Sequence, residues 1–173
     1  MGAKILIDVT PYEECVCRKG ANTHDLCEAV LTFSEQGKKV KLVLHPGEEA
    51  KALVLDGCVF QDDQLKCDGL FLLRTRNKNF AILVELKGAY EISHAFKQLA
   101  YVKKSRKEYR DLVKRFQKDG TGQLIEKTFI VSNGMLSKPE HESLENLHGI
   151  RVARVLHCEA TTPIPDVRQY LLR

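Results

Sequence analysis

The sequence predicts an α/β fold: a central mixed sheet flanked by helices. Three observations predict it. Asp68–Leu73 and Phe80–Lys87 are apolar runs on either side of the polar stretch Arg74-Thr-Arg-Asn-Lys-Asn79, the pattern of an antiparallel hairpin. A helical pattern follows from about 92 to 118. Beyond it, a strand at Ile125–Ser132, a helix opening at Ser137 and a strand at Ile150–Leu156 imply a parallel pair joined by a right-handed crossover.

In chain order, residues 4–9 read as a short strand and Thr10–Gly20 as irregular chain. A helix is predicted over about 22–36, capped by Asn22 or Thr23, with Leu26, Val30, Leu31 and Phe33 as its apolar face and Gly37 as its stop. Lys39–Leu44 alternates as a strand does, His45-Pro-Gly-Glu-Glu turns, and Ala52–Phe60 reads as a strand interrupted at Asp56-Gly57. On the arm Phe80–Lys87, alternation sets Ala81, Leu83, Glu85 and Lys87 on one face and Phe80, Ile82, Val84 and Leu86 on the other. Both faces begin apolar, so this strand is covered on both sides. The long helix carries Ala95, Phe96, Leu99, Val102, Tyr109, Leu112, Val113 and Phe116 on its apolar face. Ser137-Lys-Pro-Glu140 has the form of a capping box with proline in the first turn, and Gly149 closes that helix.

The bulk numbers fit one soluble domain: 173 residues, 43% apolar, 29% charged, net charge +4. No apolar run approaches the roughly 20 residues of a membrane helix, so no membrane partner is expected. Met1–Asp8 is too short and gains an acid too soon for a signal peptide, which makes a cytoplasmic protein the expectation. On that footing the six cysteines read as free thiols. A zinc or iron–sulfur site drawn from Cys15, Cys17, Cys27 and Cys158 has only the close spacing Cys15-x-Cys17 behind it.

The hairpin is where chemistry concentrates. An apolar strand ends in Glu85-Leu-Lys87, and buried charges persist only when paired, hydrogen-bonded or metal-bound. With the turn centred on Arg76-Asn77, Asp68 falls opposite Glu85, close enough for both carboxylates to reach one ion; a turn one residue further along sets Asp68 opposite Lys87 instead. Hard oxygen ligands suit Mg²⁺ or Mn²⁺, held by Asp68 and Glu85 with the Leu86 carbonyl as a further donor. Lys87 then orients a water or stabilises developing negative charge, a set suited to phosphodiester hydrolysis. Asp25 or Glu28 is the candidate additional acid, against the ordinary reading of each as an exposed helix acid. A polar stripe, His94, Gln98, Tyr101 and Ser105, runs beside the apolar face of the long helix. Its ordinary reading is a hydrogen-bonded flank. Nine Lys or Arg lie between residues 97 and 118 against Glu108 and Asp111. Such a run is often a solvated face, and equally a surface for phosphates.

These residues resemble the PD-(D/E)xK nuclease superfamily: Asp68, a strand and turn, then Glu85-Leu-Lys87. The continuation Gly88, His94-Ala95, Gln98-Leu99 is similar to the E-L-K-G…H-A…Q-L pattern of small prokaryotic members. Gln98 with Tyr101 is similar to the Q-x-x-x-Y motif of the RecB-like branch, one residue shorter here, and Cys67 stands in place of the motif's proline. The resemblance covers about residues 60–105 and implies a restriction-endonuclease-like fold with an αβββαβ core. It implies Asp68, Glu85 and Lys87 as catalytic residues, with Asp68 and Glu85 as metal ligands beside the Leu86 carbonyl proposed above, and a first-helix acid that is Glu28 or Asp25. Gln98, Tyr101, Lys97 and Lys104 would serve the nucleic-acid backbone.

The expected function is a Mg²⁺- or Mn²⁺-dependent nuclease acting on DNA ahead of RNA, with a homodimer admitted. Its alternatives are a non-catalytic module binding nucleic acid or protein on the same fold, and an effector whose cleavage is licensed by a partner. No Gly-rich phosphate loop supports an intrinsic nucleotide switch.

Overall fold

The computed structural model describes residues 6–20 and 24–172. Two sheets are present. β1 (Cys27–Ala29), β2 (Thr32–Glu35) and β3 (Lys38–Lys41) form a small antiparallel sheet. β4 (Glu49–Val54), β5 (Gly69–Arg74), β6 (Lys78–Lys87), β7 (Gln123–Ser132) and β8 (Arg154–His157) form a larger sheet in that spatial order. The helices are α1 (Ile92–Ser105), α2 (Lys107–Lys118) and α3 (Lys138–His148). β4, β5 and β6 pair antiparallel, while β6, β7 and β8 pair parallel, so the fold is α/β with a mixed five-stranded sheet. Among the described residues no helix is long and apolar enough to cross a membrane.

β6 is the central strand, and its residues from Asn79 to Leu86 are buried. Alternation explains how one strand serves two cores. Ala81 and Leu83 pack with Leu70 and Leu72 against Phe96, Leu99 and Phe116 of the helices. Phe80, Ile82 and Val84 pack with Phe71 and Leu73 against Phe33 and Val40 of the small sheet. The hairpin register runs from Gly69 opposite Val84 to Arg74 opposite Asn79, which carries Asp68 to the position facing Glu85. That is the register expected from a turn centred on Arg76-Asn77.

The predicted helix over 22–36 does not form. Residues 24–36 contain β1 and β2 instead, and Asn22 and Thr23, named as its caps, lie outside the described residues. Gln36 (φ 49°) and Gly37 (φ 79°) are both left-handed. Two consecutive positive φ values make the tight turn of a right-twisted hairpin, not a helix stop. Phe33 then faces inward, its ring 4.7 Å from that of Phe71. The predicted strand over 4–9 is irregular chain across residues 6–9, and residues 4 and 5 lie outside the described residues.

The predicted single helix from 92 to 118 is two helices. Arg106 stands between them in extended conformation (φ −89°, ψ 110°) and only 2% exposed. Its guanidinium binds both Asp62 carboxylate oxygens at 2.8 and 3.0 Å and the Leu65 carbonyl at 3.1 Å. It also lies 4.1 Å over the Phe60 ring. A charge in that position is held by its partners, so the helix yields there rather than turn Arg106 to solvent. The capping box of α3 forms as expected, with Ser137 accepting from the Glu140 N–H, and Gly149 ends the helix at φ 64°.

Four of the six cysteines are paired, correcting the free-thiol expectation: Cys15 with Cys58 and Cys17 with Cys27. The hairpin that replaces the first helix brings Cys27 beside Cys17, and the antiparallel bridge of Val16 to Leu53 holds the 15–17 segment against β4. Three of the four cysteines considered for a metal are thereby consumed. Cys158 remains a buried thiol, as does Cys67.

Candidate functional site

At the carboxyl end of β6 the two sheets and the loop before β5 converge on four charged side chains. Asp68 ends the 61–68 loop and is 6% exposed. Its Oδ2 accepts the Leu86 N–H at 2.8 Å, while its backbone carbonyl accepts the Leu55 N–H at 2.9 Å. It is therefore fixed from both arms of the meander. Glu85 is 2% exposed, on the helix-facing side of β6 with Ala81 and Leu83. Lys87, half-buried, shares that side of the strand by parity.

The fourth member was missed by sequence reasoning. Glu35, the last residue of β2, brings its carboxyl into hydrogen-bonding contact with that of Asp68. Glu85 does the same from the other side. Phe33 sets this up, because it packs on Gly69 so closely that a Cβ there would lie 2.5 Å from its ring. Two residues further along β2, the same face delivers Glu35 to the site. Glu35 stays exposed at the tip of its hairpin, so its carboxyl meets solvent as well as Asp68.

Crowding perturbs these acids. Glu85 is pushed well above the usual carboxylate range, first by burial, then by the charge and hydrogen bond of Asp68, with Lys87 opposing. Glu35 is raised to about 7 by partial burial and then by Asp68, again with Lys87 opposing. Carboxylates in mutual contact cannot all stay charged without a proton or a cation among them. Glu85 Oε2 is buried with no hydrogen-bond partner. Protonation, or a cation, would satisfy it. Among the described residues no group of three or more His, Cys, Asp or Glu side chains is spaced as a ready-made metal cage. Asp68 instead makes two separate carboxyl contacts, one with Glu35 and one with Glu85.

The remaining predicted residues divide. Glu28, expected as the additional acid, stands on β1 in an ion pair with Lys39 at 2.5 Å, and Asp25 is exposed in the turn before that strand. Leu86 reaches the site through its N–H. Gln98 donates to the Lys66 carbonyl at 2.9 Å, and the Tyr101 hydroxyl donates to Gln64 at 2.8 Å. Both hold the loop that carries Asp68. Lys104 donates to the His148 carbonyl at 3.1 Å. Lys97 lies on the same side, since it and Lys104 help hold the His148 imidazole below its ordinary range after burial does so first. α1 thus braces the loop that carries Asp68 through Gln98 and Tyr101 and the end of α3 through Lys104. Of the basic run, Arg106 is buried and Arg115 is bonded to the Thr10 carbonyl.

A signal for Glu35 existed. Thr32-Phe-Ser-Glu35, then Gln36-Gly37, then Lys38-Lys-Val-Lys41 is a four-residue alternation on each side of a two-residue, glycine-containing turn. No protein-family model matches the sequence, and no curated protein or solved structure does so either.

Proposed function

We propose that the chain is a metal-dependent nuclease that hydrolyses phosphodiester bonds, DNA ahead of RNA, on a restriction-endonuclease-like core. One observation carries this reading: the carboxyls of Glu35 and Glu85 each meet that of Asp68 at a strand end, within the electrostatic reach of Lys87. The donor set is hard oxygen, which fits Mg²⁺ or Mn²⁺. The unpartnered buried oxygen of Glu85 fits a cation equally well. The antiparallel meander leading into a parallel pair across helices is consistent with the fold that the motif resemblance implies.

In this reading Asp68, Glu85 and Glu35 hold the ion, with the Leu86 carbonyl as the expected backbone donor. The bound ion supplies charge neutralisation at a phosphate oxygen and an acidified water. The chain's own residues do the rest. The Leu86 N–H fixes one Asp68 oxygen and leaves the other for the site. Lys87 opposes the rise in proton affinity of Glu35 and Glu85 without cancelling it, and would stabilise negative charge developing on a phosphate. Gln98 and Tyr101 act as positioning residues through the loop they brace.

The test is incubation with single-stranded DNA, duplex DNA and RNA, with Mn²⁺ and with EDTA, beside Lys87→Ala and Glu85→Gln. The expected result is Mn²⁺-dependent cleavage lost in both variants. Cleavage unchanged in Lys87→Ala overturns the reading. Salt-dependent binding with no hydrolysis in any metal would make the chain a binding module.

A further inference from the structure

Beyond the carboxylates, the surface changes character within three residues. Tyr90, in the short 3-10 turn Ala89–Glu91 that follows Lys87 and Gly88, is fully exposed (102%). Met135, on the loop after β7, is 81% exposed. The two loops touch, because a Cβ on Gly134 would lie 2.7 Å from the Ala89 Cα. Single exposed apolar side chains are ordinary. Here two stand on abutting loops at the rim of a charged site.

They also stand between two clefts. One, of about 550 Å³, is lined by Ala89, Tyr90, Ile92, Leu136, Pro139 and Leu144. The other, of about 990 Å³, is lined by Met135 and Leu136 and by six Lys or Arg, Lys127 and Arg151 among them, against Glu126, Glu142 and Glu145, so its lining is basic on balance. Leu136 lines both, so the two clefts adjoin. Apolar notch and cationic cleft are complementary to different parts of one ligand. A duplex offers its phosphates and keeps its base faces stacked inside, whereas an unpaired strand offers both base faces and phosphates.

We propose that this rim selects unpaired polynucleotide: a base stacks on Tyr90 against Met135, and the strand's phosphates follow the cleft past Lys127 and Arg151. The inference rests on the nuclease reading for its placement beside the reactive phosphate, and it names the substrate class of that same site. The stacking contact makes Tyr90 a specificity residue, with no part in the chemistry.

The experiment measures binding in EDTA, where no cleavage occurs. A 12-nucleotide DNA carrying one 2-aminopurine is compared with its blunt duplex by fluorescence anisotropy and by 2-aminopurine quenching. The single strand should bind on the order of tenfold tighter, and Tyr90→Ala should weaken it on the order of tenfold while Tyr90→Phe preserves both affinity and quenching. Lys127→Ala with Arg151→Ala should flatten the salt dependence for single strand. Tyr90 is wholly exposed, so its replacement leaves the core intact. Equal or tighter binding of duplex, absence of binding, or an unchanged Tyr90→Ala overturns the proposal. Cleavage insensitive to Tyr90 removes this inference alone, and Tyr90-dependent binding without cleavage removes the nuclease reading alone.

Discussion

The Glu35 carboxyl meets the Asp68 carboxyl across the gap between two sheets, so the small hairpin and the central meander are coupled through an acid pair. Raised to about 7, Glu35 binds its proton more tightly in the folded chain than at its ordinary 4.5, and Glu85 is raised as well. The contribution of such a group is fully present below its unfolded value and is lost as pH rises through the folded one. Without divalent metal, stability should therefore fall from pH 5.5 to pH 8. His148, held low by burial, works in the opposite sense over part of this window, so the difference between wild type and Glu35→Gln isolates the effect. Urea unfolding in EDTA across that range should show a flatter profile for Glu35→Gln and a relative gain for the variant at pH 8. A wild-type profile that rises as steeply as the variant's would refute the coupling.

Gly69→Ala should loosen the same junction by steric means. The added Cβ would meet the Phe33 ring at 2.5 Å, and the ring is wholly buried with no room to retreat. Overpacking of this kind costs about 1–3 kcal/mol. Since Phe33 positions Glu35, the substitution should also bring the Glu35 titration back toward an ordinary carboxylate value. Phe33→Leu in the Gly69→Ala background should recover part of the stability. NMR titration of the Glu35 carboxyl together with thermal melts would decide it, and a Gly69→Ala protein as stable as wild type with Glu35 unmoved would exclude this account.

Reduction offers a third handle on the hairpin. Cys17–Cys27 closes the chain just ahead of β1, and Cys15–Cys58 ties the same segment beside β4. Bridges of this kind stabilise by about 2–4 kcal/mol each. Dithiothreitol, or Cys17→Ser with Cys27→Ser, should lower the melting temperature and raise hydrogen exchange first in β1–β3. The five-stranded sheet should keep more of its protection, since Cys15 is the one bridged cysteine buried in its helix-facing core and the rest of that core is built by residues of the sheet, the helices and the loops around them. Uniform loss of protection across both sheets would show that the small sheet is not a separable layer.

How much of this was legible follows from what each segment offered. The hairpin register could be narrowed but not closed: two apolar runs flank a short polar loop, and Asp68 falls opposite Glu85 or Lys87, which share a face, according to where the turn centres; the observed pairing of Gly69 with Val84 gives Glu85. The α3 cap could be read because Ser137, Pro139 and Glu140 act locally. The 24–41 region was misread because Leu26, Val30, Leu31 and Phe33 also satisfy a helical spacing, and Gly37 ends a helix as readily as it turns a hairpin. What decided between them was Phe33 against Gly69 and Phe71, contacts made with residues distant in sequence. Glu35 was lost with that segment, so the site was read with one acid misplaced.

Arg106 is the case where no local signal existed. Neither Gly nor Pro marks the break, and the flanking residues favour helix. The break exists because the guanidinium is drawn inward to Asp62, Glu108 at 3.0 Å, the Leu65 carbonyl and the Phe60 ring. Arg106→Ala opens space over Phe60 and leaves the Leu65 carbonyl without its donor, while Asp62, about half exposed, can turn to water, so the expected loss is about 1–3 kcal/mol, against less than about 0.5 kcal/mol for the exposed Lys107→Ala. Arg106→Lys should recover little, because one ammonium cannot serve both Asp62 oxygens and stack on the ring. The 61–68 loop is the structure that Arg106, Gln98 and Tyr101 all hold, and it ends in Asp68. On the metal-dependent reading proposed above, Arg106→Ala should also weaken Mn²⁺ binding by calorimetry at temperatures where the fold persists. A variant that loses stability while binding Mn²⁺ as wild type does would confine Arg106 to the core and free the site from it.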